Sequence, residues 1–313
     1  MNRIKPLYKD IILNCTIVSD THIDIKHPRP WLPQWRLTQV LKDIKSGAVR
    51  SDVFMTVGDT TSRSSDINWR LTKECFDKVP DCADKIILPI GNHDTWNDNG
   101  FEAAKSNYLK YTNVICKSEH TETYFTETIK GFHFICLGTD SDAGCEANIS
   151  EKQIKWFSEE MDKASLDGKP IFVFCHQSLN QRHGLPKTFD RDEQFSSLDD
   201  GALGEASDTI EAILKKYKNV LYLSGHSHMG FAGEKCCKEF GFSSIEKEGS
   251  LLLVNLPSLA CGNHHGDNRE FCTGIQLEVY KDKIILRPRS YKRRVWLSFD
   301  VQNGKNYYEL KLI

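Results

Sequence analysis

The sequence predicts a mixed α/β fold in which a largely parallel sheet is joined by antiparallel strands. Three observations predict it: residues 11–90 alternate strand-like and helix-like patterns, a hairpin signal follows near residue 130, and strand-like runs fill the last third. Alternation of strands and helices is typical of a parallel sheet, whereas a tight turn joins antiparallel strands. We expect one domain over residues 1–313, with a core at 11–260 and a β-rich extension at 271–313.

The first third of the chain contains three strand candidates and two helix candidates. The mostly apolar runs at 11–19, 53–57 and 86–90 have the length of buried strands. Between them, apolar residues at helical spacing predict one helix that ends at Gly47 and another that leads to Pro80. The order strand, helix, strand, helix, strand therefore predicts parallel pairing.

The middle of the chain changes character at a hairpin signal. Apolar runs at 123–129 and 132–137 flank Lys130-Gly131, which predicts an antiparallel pair. Further strand candidates lie at 171–175 and 220–223. Serine or aspartate followed three positions later by glutamine or glutamate predicts a helix start. Two such capping boxes are present, Ser150 with Gln153 and Asp208 with Glu211.

The last third of the chain lacks helical patterns. Its strand-like runs are 251–256, 275–280, 284–287, 295–301 and 307–312. An Asn303-Gly304 pair separates the last two runs and predicts that they form a hairpin.

Composition and charge argue against several classes of protein. A 39% apolar and 27% charged chain is typical of a soluble protein, and a net charge of -2 disfavours nucleic acid as a partner. No apolar run approaches the length of a membrane span, and residues 1–10 lack the apolar core of a signal peptide. We therefore predict a cytoplasmic protein without membrane contact. The eleven cysteines are odd in number and form no Cys-x-x-Cys, which favours reduced thiols.

Residues with metal-binding side chains follow five of the strand candidates. They are Asp20 and His22, Asp59, the run Asn92, His93 and Asp94, His176, and lastly His226 and His228. Carboxylate, imidazole and amide oxygen together suit manganese, iron, zinc or nickel. Residues two apart in an extended segment point to the same side, so each Asp-x-His or His-x-His pair is expected to enter one cleft. Leaving out His93 and Asp94, the set supplies ligands for two divalent ions.

Two ions in one cleft have a definite chemistry. At a separation of roughly 3.5–4 Å they generate a bridging hydroxide that is nucleophilic at neutral pH, and each can bind a phosphoryl oxygen. A carboxylate can bind both ions at once, and Asp59 is our candidate for this ligand. We expect His93 to stabilise developing charge or protonate the leaving oxygen, and Asp94 to orient it.

Taken together, the five blocks resemble the calcineurin-like metallophosphoesterases, with the cyclic nucleotide phosphodiesterases as the most similar branch. The blocks are Asp20-x-His22, Gly58-Asp59, Gly91-Asn92-His93-Asp94, His176 and Gly225-His226-x-His228, in the order of the family. The resemblance implies a four-layer α/β/β/α sandwich of two mixed sheets packed face to face with flanking helices. Many members carry a second aspartate shortly after Gly-Asp, where this chain has Thr60-Thr61-Ser62, so the resemblance does not identify what supports Asp59.

The resemblance also divides the ligands between two metals. It implies that Asp20, His22, Asp59 and His228 bind one ion, and that Asp59, Asn92, His176 and His226 bind the other. The predicted activity is hydrolysis of a small-molecule phosphodiester or phosphomonoester, with the diester favoured and nucleotides among the candidates.

Two other functions compete with this prediction. A non-catalytic scaffold that binds a protein partner is disfavoured because no ligand position is lost. A metal-dependent nuclease is disfavoured because such enzymes need a broader basic surface than this charge balance provides.

Several segments have no motif that identifies a substrate. We expect substrate selection by loops at 28–34, 177–204 and 262–269, the second of them a polar insertion near the site. The histidines of Gly262–Gly266 are expected in a solvated loop, with substrate contact as the alternative. The basic run 287–294 is expected on the solvated face of a strand, with phosphate contact as the alternative.

Overall fold

The structure is a computed structural model that describes residues 3–142, 144–185, 201–229, 231, 242–260, 272–299 and 306–313. Its strands are β1 (Leu13–Val18), β2 (Ser51–Thr56), β3 (Ala83–Ile87), β4 (Phe125–Ile129), β5 (Phe132–Cys136), β6 (Ile171–Phe174), β7 (Val220–Ser224), β8 (Ile245–Glu248), β9 (Leu251–Asn255), β10 (Thr273–Val279), β11 (Lys283–Ser290), β12 (Val295–Trp296) and β13 (Tyr308–Lys311). Its α-helices are α1 (Trp31–Lys45), α2 (Asp66–Asp77), α3 (Phe101–Cys116), α4 (Glu151–Ser165) and α5 (Ser207–Leu214).

The first sheet has the strand order β12-β11-β10-β1-β2-β3, and β13 also pairs with β11. Strands β1, β2 and β3 are parallel, which confirms the pairing predicted from their alternation with helices. Strand β10 lies antiparallel on the other side of β1, so a strand from the last third of the chain is the neighbour of the first strand. That the whole of residues 1–313 forms one domain stays a prediction.

The second sheet has the strand order β4-β5-β6-β7-β9-β8. Strands β4 and β5 form the predicted hairpin at Lys130-Gly131, with Ile129 opposite Phe132. Strands β5, β6, β7 and β9 are parallel, and β8 closes the edge in the antiparallel direction. Both sheets are therefore mixed, as predicted.

The two sheets pack face to face around an apolar core. Side chains such as Met55 from the first sheet and Phe174 from the second share this core. Helices α1 and α2 cover the outer face of the first sheet, and α4 and α5 cover that of the second. All six residues of β1 are buried, as expected for a strand covered on both faces. This layering confirms the predicted α/β/β/α sandwich.

Helix α3 is absent from our predictions, although its sequence carries a helical signal. The buried residues Ala104, Tyr108, Tyr111 and Ile115 recur at helical spacing. Polar and β-branched residues of low helix propensity separate them, and packing against α2 and β3 compensates for that propensity.

The two predicted capping boxes have opposite outcomes. The Ser150 side chain accepts a hydrogen bond from the Gln153 amide at the start of α4, which confirms the first box. The second is wrong because α5 begins at Ser207, before Asp208, and no side chain caps it. The Ser207 hydroxyl instead accepts a hydrogen bond from the Asn180 amide at 2.8 Å and so connects α5 to the segment that follows β6.

The predicted hairpin between the last two strands is also wrong. Strands β12 and β13 each pair with β11, at its two ends, rather than with one another. Strand β11 is eight residues long, so one of its edges can hold both short partners. The Asn303-Gly304 pair lies outside the described residues.

The prediction of a solvated basic run is wrong for Arg287 and Arg289. Both arginines lie in β11 and are buried. Arg287 pairs with Glu278 at 2.9 Å, and Arg289 pairs with Asp43 of α1 at 2.6 Å. Buried guanidinium groups need such partners because an unpaired charge in the interior is very costly.

Strand β3 ends earlier than the sequence predicts. Its pairing with β2 stops at Ile87, and Leu88, Pro89 and Ile90 continue as buried, irregular chain. Proline lacks the amide hydrogen that a ladder requires. The metal-binding run at 92–94 is therefore reached through a short buried connection. Among the described residues every cysteine is a free thiol, and no helix combines the length and apolar character that a membrane crossing requires.

Candidate metal centre

The predicted ligands converge at one end of the two sheets. Ligand atoms of Asp20, His22, Asp59 and His228 all lie within 4.8 Å of one another, and so do those of Asp59, His176 and His226. The residues follow β1, β2, β6 and β7, two strands from each sheet. Asp59 is the residue that both groups share.

In the first group, the ring nitrogens of two histidines and the oxygens of two aspartates face one another. Nε2 of His22 lies 3.1 Å from Nε2 of His228, and the latter atom lies 3.0 Å from Oδ1 of Asp20. Nε2 of His22 also lies 3.6 Å from Oδ2 of Asp59. Two imidazole nitrogens and two carboxylates that face one another form a ligand set suited to a divalent cation.

The second group centres on His176. Its Nε2 lies 3.1 Å from Oδ2 of Asp59, and its ring centroid lies 5.0 Å from that of His226. Nδ1 of His176 lies 2.8 Å from the Val57 carbonyl oxygen, to which it can donate a hydrogen bond. That hydrogen bond places the proton on Nδ1 and leaves the lone pair of Nε2 directed at Asp59, the arrangement typical of metal-binding histidines.

Unpaired polar atoms provide a test of whether these residues fit a metal. Oδ2 of Asp59, Nε2 of His176 and the side-chain oxygen of Asn92 are buried, and none has a hydrogen-bond partner among the residues that the structure describes. A buried polar atom without a partner costs on the order of 1–3 kcal/mol. Carboxylate, imidazole and amide lone pairs all accept divalent cations, so the residues fit a metal centre.

The backbone at the ligands differs from our expectation of extended segments. Five ligands have left-handed backbone conformations: Asp20 (φ 55°), His22 (φ 49°), Asp59 (φ 48°), His226 (φ 64°) and His228 (φ 51°). Residues other than glycine pay on the order of 1–3 kcal/mol for such conformations, which cluster at functional sites. The pairs do converge, but through tight turns rather than through alternation along a strand.

Glycines allow the ligand loops to approach one another closely. A side chain at Gly91 would collide with the carboxylate and the amide of Asp59. A side chain at Gly225 would collide with the Ser19 hydroxyl and the Asp20 carboxylate. At these two motif positions glycine is therefore required, because the loops lie too close together to leave room for a Cβ atom.

Electrostatics keep the two carboxylates ionised. Burial alone would raise the pKa of Asp20, but His228 and His176 outweigh it and lower that pKa. Burial likewise opposes ionisation of Asp59, whose pKa the neighbouring His176 and His93 hold well below its usual range. Both residues are consequently anionic at neutral pH, as metal ligands must be.

The histidines respond to the same environment in two ways. Burial lowers the pKa of His22 to about 3 and that of His226 well below its usual range, so both imidazoles are neutral. Burial also opposes protonation of His176, but Asp59 and Asp20 outweigh it and raise the pKa of His176 to about 9. A proton and a metal ion compete for the lone pair of such a residue.

The Asp94 carboxylate contacts the loops around the site rather than the His93 ring. Its buried carboxylate accepts hydrogen bonds from the Thr61 amide at 2.8 Å, the Thr60 amide at 3.1 Å and the Gly91 amide at 3.0 Å. The Thr61 hydroxyl also donates to this carboxylate, at 2.9 Å, so Asp94 can affect the orientation of His93 only through the loops; that it does so stays a prediction. Burial and the charge of Asp59 raise the pKa of Asp94 to about 7.

These contacts identify the support of Asp59 that the resemblance left open. Asp94 connects the loop after Asp59 to the loop that contains His93, and Oδ1 of Asp59 accepts a hydrogen bond from the His93 amide at 2.9 Å. Asp59 thus has one oxygen held by the backbone and one directed at the two ligand groups.

His93 lies beside the first group without belonging to it. Nδ1 of its half-buried ring lies 3.1 Å from the Ser62 carbonyl oxygen. The ring meets His22 edge to face, with centroids 4.7 Å apart, and packs on Trp96 at 3.8 Å. It is the backbone oxygen of Ser62, rather than Asp94, that contacts this imidazole.

The sequence analysis missed the residues that hold the histidine loop. Oδ1 of Asn255, at the end of β9, accepts a hydrogen bond from the Ser227 hydroxyl at 2.7 Å, and its amide nitrogen donates to the Gly225 carbonyl at 3.2 Å. The Ser258 hydroxyl donates to the Asp20 carbonyl at 3.1 Å. These residues lie 28 or more positions from the groups they contact, and no spacing in the sequence signals the contact.

Two predicted substrate loops lie wholly or largely outside the described residues. They are the Gly262–Gly266 loop, within 261–271, and residues 186–200 of the predicted insertion.

Comparison with known proteins gives matches to one family and to its fold. The family model for calcineurin-like phosphoesterase matches residues 13–230. A dimetal phosphatase from Danio rerio superposes with a TM-score of 0.64 at 10% identity, covering 97% of this chain and 100% of that one. A purple acid phosphatase from yellow lupin (Lupinus luteus) superposes with a TM-score of 0.58 at 9% identity, covering 96% of this chain and 53% of that one. No curated protein sequence matches the chain.

Proposed function

The chain belongs to the calcineurin-like phosphoesterase family, whose model matches residues 13–230. We propose that it hydrolyses a small-molecule phosphoester with two divalent ions bound. The observation that carries the proposal is the position of Asp59. Within the described part of the chain its buried Oδ2 has no hydrogen-bond partner. This atom lies 3.6 Å from Nε2 of His22 and 3.1 Å from Nε2 of His176, one residue from each ligand group.

We assign the ligands to two sites that share Asp59. Asp20, His22 and His228 complete the first site, and Asn92, His176 and His226 complete the second. Bound there, two ions would polarise phosphoryl oxygens and lower the pKa of a water molecule so that it can serve as nucleophile at neutral pH. Manganese, iron, zinc and nickel all suit this ligand set.

His93 is proposed as the proton donor to the leaving oxygen. In the protonated ring, Nδ1–H donates to the Ser62 carbonyl, which leaves Nε2–H for the substrate. The attacking water first loses one proton to solvent. As the resulting hydroxide oxygen forms its bond to phosphorus, the bond to the leaving oxygen breaks, and that oxygen keeps the electron pair and takes the proton from Nε2. The product is a neutral ring whose remaining proton stays on Nδ1, where the Ser62 carbonyl stabilises it.

Asp94 is proposed as a positioning residue in the same reaction. It holds the amides of Thr60, Thr61 and Gly91, and through them the relative position of the Asp59 and His93 loops. Because Asp94 is buried, it acts through these loops rather than on the substrate.

A phosphodiester is the proposed substrate class, in preference to a phosphomonoester. Support comes from the Gly-Asn-His-Asp and Gly-His-x-His blocks, which most resemble those of cyclic nucleotide phosphodiesterases. Nucleotides are therefore among the candidate substrates.

The test compares bis(4-nitrophenyl) phosphate with 4-nitrophenyl phosphate. Metal-stripped protein would receive manganese, ferrous iron, zinc, nickel or no metal, and bound metal would be counted by elemental analysis. We expect hydrolysis only with metal and faster release of 4-nitrophenol from the diester. Faster cleavage of the monoester would reverse the proposed preference. Protein with two ions that cleaves neither ester, nor a panel of nucleotides, would contradict the enzymatic proposal and favour the scaffold.

A further inference from the structure

We propose that Trp96 holds the His93 imidazole in the orientation from which it protonates the leaving oxygen, so that esters of weakly acidic alcohols depend on Trp96. The inference rests on the proposed role of His93 as proton donor. It adds a positioning residue that lies outside the motif blocks and contacts no predicted metal ligand by hydrogen bond.

The contact between the two rings is unusually close. Their centroids lie 3.8 Å apart with planes inclined at 43°, whereas aromatic pairs in proteins usually have centroids about 4.5–7 Å apart. A short 3-10 helix, His93–Thr95, joins the two residues, and Trp96 then adopts an extended backbone. The Trp96 amide donates to the His93 carbonyl at 3.2 Å, so the chain turns back and brings the indole against the imidazole.

The backbone of Trp96 is itself fixed by the loop that contacts His93. The Trp96 carbonyl accepts a hydrogen bond from the Ser64 amide at 2.9 Å, two residues after the Ser62 carbonyl that meets Nδ1 of His93. The Ser64 hydroxyl accepts from the Trp69 indole nitrogen at 2.9 Å and donates to the Ala104 carbonyl at 2.9 Å. The loop is therefore anchored to α2 and α3, and Trp96 is a rigid support.

Trp96 restricts a rotation of the His93 ring that its other contacts still permit. The hydrogen bond at Nδ1 fixes one atom of the ring but permits rotation about that contact. His22 meets the ring with planes 88° apart, so it limits the movement of one edge. The indole covers a face of the imidazole and so prevents the tilt that would turn Nε2 away. Misplacement of a catalytic group by about 1 Å can cost on the order of 100-fold in rate.

The dependence on leaving group separates this role from a general loss of structure. A 4-nitrophenolate departs without much help because it is a weak base, whereas a phenolate or an alkoxide needs a proton as it leaves. A ring that is present but poorly oriented should therefore slow phenyl esters far more than 4-nitrophenyl esters. Distortion of the metal centre would slow both equally.

The experiment uses the full chain loaded with metal and the ester class that wild type cleaves. Four variants would be compared: Trp96→Leu, Trp96→Phe, His93→Ala and the double variant His93→Ala with Trp96→Leu. Trp156→Leu is the matched control, because Trp156 is also half-buried but packs against Tyr124, next to the second sheet. Bound metal is measured for each variant, and zinc-loaded protein is used for proton NMR of the His93 ring.

We expect Trp96→Leu to keep its metal, to lower turnover of phenyl esters by about 10-fold or more and to lower that of 4-nitrophenyl esters by less than about 3-fold. Trp96→Phe should restore part of the loss, and Trp96→Leu should cost nothing further in the His93→Ala background. The His93 ring protons should be shifted upfield by the indole and should lose that shift in Trp96→Leu.

Three results would overturn the inference, and each differs from failure of the proposed function. Equal effects on both esters, or an additive loss in the His93→Ala background, would show that Trp96 does not act through His93. The inference would also fail if the ring protons of His93 showed no upfield shift in wild type, and this test does not depend on whether Trp96→Leu folds. If His93→Ala itself left both esters unaffected, the role of His93 would fail, and the inference with it.

Discussion

Oδ2 of Asp59 lies 3.1 Å from Nε2 of His176, and neither of these buried atoms has a hydrogen-bond partner in the described ranges of the chain. The other oxygen of Asp59 is occupied by the His93 amide at 2.9 Å. The two oxygens of this carboxylate thus differ: Oδ1 is held in place by a backbone amide, whereas Oδ2 faces both ligand groups. This relationship is the physical basis of the first prediction.

Replacement of Asp59 by asparagine should remove metal from at least one site and weaken binding at the other. The substitution removes the charge that both sites share while keeping the size of the side chain. Elemental analysis after dialysis would give the number of ions per chain. Asp77→Asn is a suitable control because Asp77 is 58% exposed and pairs with Lys73, outside the two ligand groups. Two tightly bound ions in Asp59→Asn would show that Asp59 is not the shared ligand.

Replacement of His93 by alanine should lower turnover of phenyl esters, whose leaving oxygen needs a proton, by about 100-fold or more while metal content stays unchanged. The reason is that His93 contacts the Ser62 carbonyl, His22 and Trp96 but is outside both ligand groups. Turnover and bound metal would be measured on the same preparation. A loss of metal in proportion to activity would mean that the ring supports the centre rather than the reaction.

Replacement of Asn255 by alanine should weaken metal binding by about 10–100-fold, the usual cost of losing a group that orients metal ligands. Asn255 holds Ser227 and Gly225, which flank His226 in the loop that carries both histidines. Titration of metal-stripped protein with zinc would give the affinity, and circular dichroism would show whether the fold persists. Asn306→Ala, at an exposed position, should leave the affinity unchanged. An unchanged affinity in Asn255→Ala would exclude this positioning role.

Acid should destabilise the protein through His183, which lies outside the metal centre. Burial, together with the charge of Arg182, lowers the pKa of this histidine to about 4. The charge of Glu246 opposes the shift but does not outweigh it. Because the folded pKa lies below the unfolded value of about 6.5, stability is complete above pH 6.5 and declines as the pH falls toward 4. The contribution lost is on the order of 2–3 kcal/mol.

The measurement is urea unfolding of wild type and His183→Asn at pH 7.5 and 4.5, with EDTA present throughout so that metal loss does not contribute. Asparagine can still donate to the Ser243 carbonyl, which Nδ1 of His183 approaches at 2.9 Å. The variant should lose less stability than wild type on acidification. Equal losses in the two proteins would assign the acid sensitivity to other groups.

The errors of the sequence analysis share a physical origin. The capping box at Asp208 has the right spacing, yet the Glu211 side chain pairs with Arg182 and Lys215, and the N-cap is Ala206, two residues earlier. The Asn-Gly pair predicts a turn, yet β12 and β13 both find their partner in β11. In each case a contact distant in sequence outweighed a local preference.

The sequence by itself determined the type of fold, the parallel order of the first strands and the set of residues proposed as metal ligands. Strand and helix periodicity, turn residues and side-chain chemistry are local properties, and all can be read from short windows of the chain. The resemblance of five blocks to a family could be recognised for the same reason.

The tertiary structure alone decided how these residues are arranged. Asp20 and His228 are separated by 208 positions yet lie 3.0 Å apart, because packing of the two sheets brings their loops together. Only the folded structure shows that five of the predicted ligands have left-handed backbone conformations, that Asp94 accepts hydrogen bonds from the loop after Asp59 and that Trp96 packs on His93. Spacing along the chain carries no information about such distances, since they follow from the shape of the core between the sheets.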